Sequence, residues 1–193
     1  MVIRKKARDK KKMYFERSGE ENTEATLKIA KEAAIAKGIK HIIVATTTGK
    51  TGLIAAEMLK GSGINLIVVT HNTGFKENGI QEINLEMKEK IEAQGAKVLT
   101  CPMVLRALGA AIREKTGYSQ EQIVADTLRI FGQGTKVALE ITAMASDCGL
   151  IPPIEVIAVA GTAKGADTAC VIKPASSNNF FKMWVSEILA KPK

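Results

Sequence analysis

Apolar and polar positions along the chain alternate between two periods. Between Asn22 and about Lys37, the residues Leu27, Ala30 and Ala34 recur at spacings of three and four, with Asn22 as the cap and Gly38 as the stop, which predicts a helix. Ile39 to Thr46 follows as an unbroken apolar run, the signature of a strand covered on both faces. The unit then repeats as a helix from about Thr51 to Lys60, a stop at Gly61-Ser62-Gly63 and a strand from Ile64 to Thr70. Beyond the loop His71 to Gly79 comes a helix with Ile83, Met87 and Ile91 on one face, a stop at Gly95 and a strand from Ala96 to Cys101. A short strand, Met13 to Glu16, precedes the series. Strands without alternation, separated by helices of this length, predict a three-layer α/β fold around a mostly parallel sheet.

The chain changes character after Cys101. Met103 to Lys115 and Ser119 to Phe131 read as helices, the second opened by the capping box Ser119-x-x-Gln122 and closed by Gly132. A third helix, from about Thr135 to Asp147, is apolar around most of its circumference, yet Lys136, Glu140 and Asp147 form a single stripe. That stripe is expected to be a solvent-facing edge; the alternative is that it lines a ligand cleft. Glu155 to Ala160 and Thr168 to Lys173 are two apolar runs joined by a glycine-bounded loop from Gly161 to Asp167, the pattern of an antiparallel excursion, and a last strand runs from Val185 to Leu189.

The segment with the most definite chemistry is Val44-Ala45-Thr46-Thr47-Thr48-Gly49-Lys50-Thr51-Gly52, placed between a strand and a helix. Hydroxyls, a permissive glycine, an ammonium and a helix N-terminus converge there, as a phosphate site requires. It is not a Walker A loop, because the glycine that motif needs is replaced by Val44. A short strand-to-helix turn suits one terminal phosphate rather than a triphosphate with magnesium. The competing explanation is a Thr-rich capped turn, but Lys50 has the wrong sign for capping alone. In sheets of this kind ligands lie beyond the carboxyl ends of the strands, where Thr46 to Thr51 and the segment His71, Thr73, Gly74 and Phe75 both fall. Gly161, Lys164, Asp167 and Asn179 are further candidates. No nucleophile and base stand at a defined spacing, so no reaction class follows.

With 193 residues, 46% of them apolar, the sequence reads as one domain from 13 to 193 behind a basic tail. In residues 1–12 seven cations face a single Asp9, so the tail carries +6 of the net +8. A solvated extension is the expected reading of it, and contact with RNA or an acidic surface the alternative. Three widely spaced cysteines fit buried, reduced thiols, and two histidines without ligand spacing give no metal site. No membrane-spanning run and no signal peptide are seen, so a cytoplasmic location is expected, with no membrane partner and with a homo-oligomer left open.

The order strand, Val-Ala-Thr-Thr-Thr-Gly-Lys-Thr, helix, strand, Val-Val-Thr-His-Asn-Thr resembles the C-terminal α/β domain of pyruvate kinases. Over nearly the whole length the chain resembles small stand-alone proteins with that fold. The segments that carry this likeness are Glu21 to Leu27, His71 to Phe75, Glu140 to Ala145, Gly165 to Ala169 and Asn178 to Phe181. The barrel that carries pyruvate kinase chemistry is missing, so that activity is not expected. The resemblance implies flavin mononucleotide (FMN) as ligand, its phosphate on Thr46 to Thr51 and its ring against Phe75 or Phe180. A regulatory module that senses a sugar phosphate is the other function it implies.

Overall fold

The computed structural model describes residues 12–193; the rest of the basic tail lies outside them. Seven strands form one sheet: β1 (Met13–Phe15), β2 (His41–Ala45), β3 (Asn65–Val69), β4 (Lys97–Leu99), β5 (Val156–Ala160), β6 (Thr168–Lys173) and β7 (Trp184–Pro192). Their order is β1-β7-β6-β5-β2-β3-β4. Only β6 runs against its neighbours, pairing antiparallel with β5 and β7, so the predicted excursion lies inside the sheet rather than at its edge.

Of the six α-helices among the described residues, four cover the two faces of the sheet. On one side α1 (Thr23–Lys37), α2 (Lys50–Leu59) and α3 (Leu85–Ala93) lie side by side. They bury Leu27, Ala55 and Ile91 against Ile42, Val44, Val68 and Val159. On the other side α6 (Gln133–Asp147) packs Ala138, Ile141 and Met144 onto Ile43, Ile67, Ala158 and Ile172. Alternate residues of β2 and β3 thus enter opposite cores, which is why those strands read as unbroken apolar runs. A hairpin of α4 (Ala107–Thr116) and α5 (Gln120–Arg129) reaches the sheet only through α6, and α4 buries little more than Gly109.

Most helix ends follow the sequence, but α4 begins at Ala107 rather than Met103, and the Asn22 side chain donates to the Arg17 carbonyl at 2.8 Å instead of capping α1. Gly38 closes α1 at φ 71°, in the left-handed region that glycine enters without strain. The Ser119 hydroxyl accepts from the Gln122 amide at 3.1 Å, but the Gln122 side chain does not complete the box. It donates instead to the Leu105 carbonyl at 2.7 Å, pinning the segment between β4 and α4.

Two expectations are corrected. The stripe on α6 is solvent-facing only at Asp147: Lys136 and Glu140 are 2% and 0% exposed and pair with each other. The physical reason is that α5 and residues 103–106 cover that side of the helix, and the Glu140 carboxylate also accepts from the Leu105 amide at 2.8 Å. The cysteines are not all buried either. Cys170 is, whereas Cys148 is exposed at the end of α6, beside Cys101. Burial and the neighbouring Cys148 push the Cys101 thiol up to about 12.

Candidate functional site

β2 and β5 are neighbours, yet the chain leaves β2 toward β3 on one side and leaves β5 toward β6 on the other. Their carboxyl ends therefore flank a topological switch point, the place where a crevice opens in such sheets. Three loops meet there: residues 46–49 after β2, residues 161–167 after β5 and the turn Glu20–Asn22 ahead of α1.

Thr46 organises the first loop. Its buried hydroxyl oxygen accepts from the amides of Gly49 at 3.1 Å and Gly52 at 3.4 Å, tying the strand end to the first turn of α2. Gly49 adopts φ 97°, and an added Cβ would sit 2.1 Å from the Met87 side chain, so both backbone and packing demand glycine. The amides of Lys50 and Thr51, which open α2, have no protein acceptor among the described residues. The hydroxyls of Thr47, Thr48 and Thr51 have no partner there either. A helix N-terminus with free donors and a partial positive charge is chemically suited to an anion.

Lys50 is not idle. Its ammonium pairs with the Glu20 carboxylate, whose pKa is held below the usual range by that hydrogen bond and charge and, more weakly, by Lys164. Asp167, fully buried, draws the loops together. Its carboxylate accepts from the amides of Gly19 at 3.2 Å and Thr162 at 3.1 Å and from the Thr168 hydroxyl at 2.8 Å. Gly161 and Gly165 allow close approach: a Cβ at Gly161 would lie 2.4 Å from the Gly165 carbonyl oxygen, and one at Gly165 would lie 2.5 Å from Cα of Glu20. Lys164 is exposed at the rim, next to Ala163 in the left-handed region at φ 60°.

The second predicted segment lies after β3. His71 Nδ1 is 2.6 Å from Glu82 Oε2, and Lys76 Nζ is 2.7 Å from the other oxygen of that carboxylate. The His71 ring stacks on Phe75 with centroids 3.9 Å apart, and the Arg106 guanidinium lies 4.5 Å from the Phe75 centroid. Gly74 is in the left-handed region at φ 84°, and its amide donates to the Ile80 carbonyl at 2.9 Å, which closes the loop back on itself; Thr73 is exposed.

Asn179 does not belong to this site, nor does Phe180. Both lie in the 3-10 turn Ser177–Lys182 that joins β6 to β7, and this turn is at the amino end of the parallel strands. The antiparallel direction of β6 carries the chain away from the crevice, so neither residue reaches the loop after β2. Sequence reasoning missed two residues that the structure puts at the site: Glu20, paired with Lys50, and Glu82, paired with His71. Lys136 and Glu140 did leave a signal, opposite charges four apart on a helix that is otherwise apolar.

Residues 24–172 match the family described as pyruvate kinase, alpha/beta domain. The chain belongs to this family. Among solved structures it is similar to a pyruvate kinase from Cryptosporidium parvum, at 19% identity and a TM-score of 0.41, over 79% of this chain and 22% of that one. A Cryptosporidium parvum pyruvate kinase in complex with ADP gives 19% identity and 0.38, over 86% and 23%. O-ureido-L-serine synthase gives 19% and 0.31, over 69% and 49%. The chain thus spans less than a quarter of those pyruvate kinases, and overlaps at these TM-scores add no weight to the family match. No helix of the described residues is long and apolar enough to cross a membrane.

Proposed function

We propose that this pyruvate kinase α/β-domain protein binds a phosphorylated small molecule at the switch point, with the phosphate on Thr46, Thr47, Thr48, Gly49, Lys50 and Thr51. The observation that carries the reading is the set of free donors at the start of α2 beside the Lys50 ammonium. A charge-assisted contact there contributes on the order of 1.5–3 kcal/mol. Lys50→Ala should therefore weaken phosphate-ligand binding roughly tenfold or more, read by calorimetry. Unchanged affinity would refute the assignment.

FMN is the proposed ligand at the finer level, and its two ends fit unequally. The phosphate end meets free donors. The ring end has only Phe75, which is already stacked on His71 and approached by Arg106, so an isoalloxazine would have to displace one of them. That observation favours a second reading, in which the phosphate belongs to a non-aromatic molecule such as a sugar phosphate and the domain is a sensor. Visible absorbance of natively purified protein, with mass spectrometry of the released ligand, separates the two.

A further inference from the structure

Apart from the phosphate loop, the carboxyl edge holds one imidazole fixed in every direction but one. His71 Nδ1 faces Glu82 at 2.6 Å. Gln81 spans the loop, donating through Nε2 to the His71 carbonyl at 3.0 Å and accepting through Oε1 from the Glu82 amide at 2.6 Å. Phe75 covers the ring, stacked at 23° and backed by the Arg106 cation. Burial alone would push the Glu82 carboxyl up, but the Lys76 ammonium and the hydrogen bond with His71 together outweigh it and hold the group below its ordinary value. Glu82 is therefore ionised at neutral pH and can only accept, so Nδ1 carries the hydrogen. In the neutral ring the lone pair then belongs to Nε2. Nε2 has no protein partner among the described residues, and the His71 side chain is 29% exposed.

We propose that His71 is a proton acceptor for a hydroxyl or N–H group of a molecule bound at this edge, with Glu82 as its positioning residue. The proton passes from that O–H or N–H to Nε2, the imidazolium charge is held by the Glu82 carboxylate, and the proton returns by the same route, so no oxidant or reductant is involved. The phosphate loop on the adjoining strand β2 supplies the natural occupant, and to that extent the proposal rests on the phosphate reading.

The test uses the full chain without ligand, so it stands whether or not the phosphate loop is correctly read. Nitrogen-15 NMR of the histidine rings should show His71 with hydrogen on Nδ1 and a bare Nε2. Glu82→Gln should shift the ring toward the other tautomer and slow acylation of His71 by diethyl pyrocarbonate roughly tenfold or more, the scale of one charge-assisted contact. His41, the other histidine, is the internal reference and should keep its rate. A wild-type ring protonated at Nε2 would overturn the proposal, even where the variant does not fold. An unchanged His71 acylation rate in a folded Glu82→Gln protein would overturn it too.

Discussion

Glu140→Gln tests the least expected feature of the fold, the buried ion pair on α6. Lys136 sits in the first turn of that helix at 2% exposure, where the helix dipole disfavours a cation, and Glu140 is its counter-charge. The substitution removes the charge but keeps an acceptor for the Leu105 amide, now 2.8 Å from the carboxylate, so the backbone hydrogen bond survives. What remains is a buried ammonium without compensation, which costs about 3–5 kcal/mol. At roughly 2–4 °C per kcal/mol for a chain of this size, the melting temperature should fall by about 6–20 °C. Calorimetric or circular-dichroism melts of four proteins, wild type, Lys136→Met, Glu140→Gln and the double variant, form a mutant cycle. The double variant should recover most of the loss, because neither charge is then stranded. A Glu140→Gln protein that melts within about a degree of wild type would refute the reasoning, since a solvated pair contributes only about 0–1 kcal/mol.

The same pair gives a pH dependence. Burial lowers the folded-state pKa of Lys136, against the pull of Glu140 and with help from Arg129 and Arg106, so the unfolded chain binds more protons over that interval. Stability of wild type relative to Lys136→Met should therefore rise as pH climbs from the folded pKa toward the ordinary lysine value, and a difference that stays flat or falls in denaturant titrations would contradict this. Gly52→Ala places a Cβ 2.6 Å from Val68 Cγ1 and 3.2 Å from Ile91 Cδ1, so it should cost about 1–3 kcal/mol despite the better helix propensity of alanine; a stabilised variant would show that α2 can shift. A chain beginning at Met13 should melt within a few degrees of the full chain and bind the same phosphate ligand, because the removed residues are mainly charged. Fast, saturable bleaching of the flavin-loaded protein by NADH or NADPH would contradict a carrier or sensor role, since the sequence has no Gly-x-Gly-x-x-Gly turn for a dinucleotide.

The central strands and α1, α2 and α6 were legible because their periods are strong and their ends carry glycine or hydroxyl caps. The strand-to-helix turn from Thr46 to Thr51 was legible because its residues are consecutive. Position in the sheet was legible only in part: the glycine-bounded loop signals that β6 runs antiparallel to β5, but nothing local in residues 174–183 marks them as the opposite end of the sheet, where the structure places Asn179 and Phe180. Glu82 was invisible for a related reason, since it lies eleven positions from His71 and only the fold of the intervening loop brings the two together. The α6 stripe misled because charge at helical spacing normally faces water, and only the segment around Leu105, clamped by Gln122, seals it from solvent.

The measurement that bears most directly on the central claim is an amide-resolved NMR titration of the full chain, first with inorganic phosphate and then with FMN. The Lys50 and Thr51 amides, which have no protein acceptor among the described residues, should shift most and in a saturable way, with both ligands and not with chloride. Saturable shifts elsewhere, with those two amides unmoved, would contradict it.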